Sequence, residues 1–140
     1  MMGIKILSTL NEMLPQLNLV KQLSPQITLE SYRQMIPDMI NKNYKQAVFY
    51  DQEKPIAVCG FWISTKLYAG KYVELDNVVV DIEYRSKGIG EKLCNKVLDL
   101  AIDEGCQMAM LDAYLENEKG HVFYEREGFI KRGYHFVKKL

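Results

Sequence analysis

Residues 78–90 read Val78-Val79-Val80-Asp81-Ile82-Glu83-Tyr84-Arg85-Ser86-Lys87-Gly88-Ile89-Gly90. Three β-branched valines stop at a polar turn, and Arg-x-x-Gly-x-Gly leads into an amphipathic stretch. The pattern predicts a strand, a glycine-bearing loop and a helix start. Backbone N–H groups at a helix N-terminus lack internal partners, and the helix dipole places roughly half a positive charge there. Gly88 and Gly90 permit positive φ and close backbone approach. Arg85 and Lys87 add cations that make charge-assisted bonds to phosphate. Such a junction can hold a diphosphate. It lacks the Gly-Lys-Ser/Thr of a Walker loop, and Leu93 stands where a dinucleotide fingerprint needs its third glycine. A connection with no ligand is the other reading of the same residues.

Working outward, the helix is expected from about Gly88 to Glu104, with Ile89, Leu93, Val97 and Ala101 at helical spacing and Gly105 as its stop. Before the loop, Ala47 to Tyr50, Ile56 to Thr65 and Tyr72 to Val80 read as strands joined by short turns, hence antiparallel. After it come a strand at Met108 to Ala113, a helix at Asn117 to Glu127 and a last strand at Tyr134 to Lys138. Met2 to Leu7 reads as a first strand. Asn11 to Leu23 reads as a helix, and a second runs from a Thr28 cap to about Asn41. Pro37 should kink or split that second helix. The strand at 72–80, its helix and the strand at 107–113 should form a right-handed parallel crossover. The order predicts a mixed α/β or α+β sheet with helices on both faces.

The 140 residues fit one domain, residues 1–140. Lys+Arg and Asp+Glu each total 18, which argues against a general binder of nucleic acid or anionic membrane. No apolar run approaches the length of a membrane span, and no signal-peptide block opens the chain. Cys59, Cys94 and Cys106 form no C-x-x-C pair, which suggests a reducing, cytoplasmic setting and no metal site. They read best as small buried hydrophobes.

Downstream of the loop stands Asn117-Glu118-Lys119-Gly120-His121-Val122-Phe123-Tyr124-Glu125-Arg126-Glu127-Gly128-Phe129. At helical spacing Asn117, His121 and Tyr124 share a face. The pair V-V-V-x-x-x-Y-R-S-K-G-I-G-x-x-L and N-x-x-x-x-x-F-Y-x-x-x-G-F, in that order, resembles the GCN5-related N-acetyltransferases (GNAT), over roughly residues 45 to 140. The C-terminal run is similar to small-molecule members such as aminoalkylphosphonate acetyltransferases. The resemblance implies a mixed central sheet, mostly antiparallel with a central parallel splayed pair, helices on both faces, and acetyl-CoA as cosubstrate. Arg85, Ser86, Lys87, Gly88, Ile89 and Gly90 would cradle the CoA diphosphate. Val78, Val79 and Val80 would run along the pantetheine arm, Val78 and Val80 through their backbone, and Asn117 would bond to it. In the family that strand carries a bulge, which this sequence does not reveal. Gly120 departs from the family's usual Ala.

Acetyl transfer to an amine needs a neutral amine, a held oxyanion and a protonated leaving thiolate. An alkyl amine with pKa near about 10.4 is neutral in only about one molecule per thousand at physiological pH. A base, direct or through water, therefore helps. Glu74 and Asp76 alternate on one face of the third strand in the hairpin region, and either could serve; both could equally be solvated strand carboxylates. The resemblance makes Tyr124 the general acid at the CoA sulfur and puts the oxyanion on backbone N–H near Val80. His121 could touch the pantetheine or the acceptor, or be an exposed helix histidine. The expected partner is a small-molecule amine or a peptide, with no nucleic acid and no membrane; a homodimer stays open. The rival readings are an inactive acyl-CoA sensor of the same fold and a Cys–His hydrolase built on Cys94.

Overall fold

The computed structural model describes residues 2–140. Its sheet has five strands in sequence order: β1 (Met2–Leu7), β2 (Tyr44–Asp51), β3 (Lys54–Lys66), β4 (Gly70–Val80) and β5 (Met108–Leu111). The first three pairings are antiparallel, and β4–β5 is parallel. The crossover is α4 (Ile89–Asp103), and α5 (Glu118–Arg126) follows β5.

Each face of the sheet has its own core. On one side α4 buries Ile89, Leu93, Cys94, Val97 and Ala101 against Ala47, Cys59, Phe61, Val73 and Leu75. On the other, Met13, Leu17, Leu19, Val20, Tyr32 and Ile36 cover Tyr44, Val48, Val58 and Val79. These come from α1 (Leu10–Met13), α2 (Leu17–Leu23) and α3 (Leu29–Asn41). Pro15 lies in the 3-10 turn Leu14–Gln16, so the single helix expected at 11–23 divides there. Thr9 and Glu12 form a capping box at α1, and Thr28 with Ser31 does the same for α3.

Three expectations need correction. Pro37 neither splits nor ends α3. It lies on the exposed face above exposed Arg33, whose carbonyl loses its i+4 donor where water can replace it. Residues 134–138 form no strand; from Tyr134 to Lys138 the chain is irregular and exposed. The parallel pair therefore stands at an edge of the described sheet, not at its centre.

β4 carries a bulge. Val79 pairs with Val58 and Asp76 with Gly60, so Asn77 and Val78 together oppose Cys59 alone. Asn77 has φ 56°, a left-handed backbone that Asn tolerates better than most residues. The extra residue reverses the inside–outside alternation. Val73 and Leu75 face α4, yet Val79 faces the opposite core while Val78 and Val80 pack on the α4 side.

Candidate active site

β5 pairs with β4 only from Tyr72↔Met108 to Leu75↔Leu111. β4 runs on to Val80, so Asp76 to Val80 present an unladdered outer edge among the described residues. The two strands part there. The loop from Asp81 to Gly88 lies at the end of this open edge, and Asn117 and α5 follow the end of β5.

Of the two loop glycines, Gly88 takes the left-handed backbone and Gly90 does not. Ser86 and Gly88 both have positive φ, 65° and 76°. The first amide of α4 to find an intrahelical acceptor is Lys92, bonded to the Gly88 carbonyl at 3.2 Å. The N–H groups of Ile89, Gly90 and Glu91 thus lack helical partners, and Gly88 as cap offers no side chain to take them. Exposed Arg85 donates from Nε to the Val80 carbonyl at 3.1 Å, which ties the loop to the strand end. Exposed Lys87 sits with Nζ 5.5 Å from the Tyr84 ring centre.

The carboxylates occupy the face of β4 opposite α4. Glu74 pairs across the strands with Trp62, and Asp76 with Gly60. Asp76 Oδ2 accepts a bond from Trp62 Nε1 at 3.0 Å, so one of its oxygens is committed. Glu74 is half-buried and lines an open cavity of about 450 Å³ with Lys42, Trp62, Ser64 and Tyr72. Burial pushes its carboxyl above the usual range; Asp112 and Asp76 push the same way, while Lys66 and His135 oppose them.

Tyr124 lies on the other face. Its ring packs edge-on against Phe123 and Phe129, both of which join the core beneath α4. Burial raises the phenol's pKa, with Cys94 and Cys59 adding to the effect, so the hydroxyl keeps its proton at neutral pH. The carboxylates thus lie on one face of the sheet and the protonated phenol on the other.

The remaining expected residues have these partners within the chain. Asn117 caps α5, its Oδ1 accepting from Gly120 N–H at 3.1 Å. A Cβ on Gly120 would collide with the Asn117 side chain, which explains the glycine. His121 Nε2 lies 2.8 Å from the Tyr114 carbonyl, so that nitrogen carries the proton and the side chain fastens the β5–α5 loop. Val79 points its side chain into the α1–α3 core, away from Val78 and Val80. Cys94 is 2% exposed, and the two histidines lie against Tyr114 and Asp112, so no Cys–His pair forms. Sequence reading missed Asp112, Trp62 and Asn77; only the last leaves a signal, an Asn inside a strand pattern.

A sequence profile described as the acetyltransferase (GNAT) family matches residues 11–129. The chain belongs to the GNAT family. Its GNAT relatives include a thialysine N-epsilon-acetyltransferase of Bos taurus, 31% identical over 68 residues, 49% of this chain and 40% of that protein. A glucosamine 6-phosphate N-acetyltransferase of Arabidopsis thaliana is 33% identical over 69 residues, 49% of this chain and 44% of that protein. The matches thus span under half the length of these curated relatives. Among solved GNAT structures, an aminoglycoside N-acetyltransferase in complex with CoA superposes with a TM-score of 0.87 at 18% identity, over 99% of this chain and 95% of that one. That likeness concerns the fold. Among the described residues no helix is long and apolar enough to cross a membrane.

Proposed function

We propose that this chain is an acetyl-CoA-dependent N-acetyltransferase that moves an acetyl group directly to a primary amine of a small molecule or peptide. The observation that carries the reading is the open β4 edge beyond Leu75, ending in a loop whose amides are uncapped. A strand edge suits the amides of a pantetheine arm, and uncapped N–H groups at a helix start suit a diphosphate. Residues 85–90 would hold the diphosphate, the backbone of Val78 and Val80 the arm, and Asn117 its far side. Acetyl-CoA, when bound, supplies an activated acyl group on a good leaving sulfur.

The protein's part is proton management and placement. Glu74 is the better base, because Asp76 already accepts from Trp62. Its raised pKa brings it nearer the acceptor's, which helps it take a proton directly or through water. Tyr124 holds a proton at its hydroxyl for the departing sulfur. Backbone N–H near Val80 faces the developing oxyanion. The cavity beside Glu74 would admit the amine, with Trp62 and Tyr72 as walls.

The test is release of free CoA thiol from acetyl-CoA over a panel of small amines and peptides, beside a thermal shift with CoA. Turnover of at least one amine is expected. CoA binding without turnover would make the chain an acyl-CoA sensor, and neither signal would refute the reading.

A further inference from the structure

Gly60 opens a window across β3. A Cβ there would collide with the Tyr44 hydroxyl and stand 2.7 Å from the Asp76 carbonyl. Through that window Tyr44, rooted on β2, reaches past β3 to β4. Its hydroxyl donates to Asn77 Oδ1 at 3.1 Å, on the bulge residue itself. The same hydroxyl accepts from Gln46 Nε2 at 3.1 Å. Gln46 also donates to the Tyr32 hydroxyl at 3.1 Å, which in turn donates to the Met13 carbonyl at 2.9 Å. Tyr32, Tyr44 and Gln46 are all buried. The ring of Tyr44 packs 4.9 Å from that of Trp62, the residue bonded to Asp76.

We infer that Tyr44 is a positioning residue for acyl transfer: through Asn77 it holds the β4 bulge, and with it the backbone of residues 76–80 that faces the cosubstrate. The inference rests on the acetyltransferase reading for its consequence, though not for its geometry. A left-handed Asn is strained unless its surroundings fix it. The Tyr44 bond does so, and the chain of donors behind it leads back to α3 and α1. Burial raises the Tyr44 phenol's pKa well above its ordinary value, so the donor persists across the working pH range.

A double-mutant cycle tests this, using Tyr44→Phe, Asn77→Gly and the pair. Glycine adopts φ near 56° without help, so it removes the need for the hydroxyl. In the wild-type background Tyr44→Phe should lower kcat about tenfold by leaving the half-buried Asn77 Oδ1 without its donor. The KM for the amine should stay unchanged, since the ring against Trp62 remains. In the Asn77→Gly background the same substitution should change kcat by less than about twofold if the hydroxyl acts through Asn77. Equal losses in both backgrounds would reduce Tyr44 to a packing residue and overturn the inference. Amide hydrogen exchange at residues 76–80 gives a readout independent of turnover. It should quicken about tenfold in Tyr44→Phe, by the same lost bond. Unchanged exchange sinks the positioning role even if the enzyme is active. A wild-type protein that turns over no amine counts against the acetyltransferase reading, and exchange still decides the bulge.

Discussion

Phe123 rests on Gly90. A Cβ at Gly90 would stand 3.6 Å from Phe123 Cζ and 3.5 Å from Val80 Cγ2, ordinary contact distances. The ring from α5 thus backs the first turn of α4, immediately behind the uncapped amides, and the end of β4 closes the same contact. Gly90→Ala should therefore fold and bind CoA as the wild type does. Gly90→Asp should weaken CoA binding by at least about a hundredfold, because it sets a carboxylate among donors meant for phosphate. Calorimetry separates the two, and unchanged binding in the aspartate variant would remove the loop from the cofactor site.

Tyr124→Phe keeps the ring that packs on Phe123 and Phe129 and deletes only the proton donor. The expected result is a fall in kcat of about a hundredfold or more, with acetyl-CoA affinity nearly unchanged. Undiminished turnover would take Tyr124 out of the chemistry.

Glu74 must be ionised to act as base, and its folded pKa lies above the ordinary 4.5. Activity should therefore fall on acidification at a higher pH than an ordinary glutamate would give. Asp112 is the strongest raising influence after burial itself. Asp112→Asn should move the acid limb of kcat/KM to lower pH, toward the ordinary value. A limb that stays in place in Asp112→Asn, or persists in Glu74→Gln, would point to another base.

Gly120→Ala should give no gain in stability, although alanine favours a helix by about 1 kcal/mol over glycine. The added methyl displaces the Asn117 side chain and with it the α5 cap, whose loss costs about 0.5–2 kcal/mol. Thermal melting checks it: a rise of several degrees would show that the cap is dispensable.

The loop and helix around Arg85 to Gly90 were legible because glycines, cations and apolar periodicity are all local signals. The pairing of that loop with Asn117 and Tyr124 was legible through the order of two motifs. The bulge was not. The bulge residue is held by a bond from Tyr44 to Asn77, 33 residues apart, made across β3 where Gly60 carries no side chain. Asp112 was missed for a similar reason: its effect on Glu74 exists only once β5 lies beside β4. Pro37 misled because its local cost is the same everywhere, whereas exposure decides whether water can offset it.

The reversal of alternation at Asn77 makes β4 a strand of two phases. Glu74 and Asp76 belong to the phase before it, and Val78 and Val80 to the phase after. Flattening the bulge with every residue kept would turn Val79 toward α4 and drive Val78 and Val80 under the N-terminal helices, whereas deleting Asn77 would leave all three valines on their present faces. The extra residue therefore lengthens the open edge of β4 without changing which side of the sheet each valine covers.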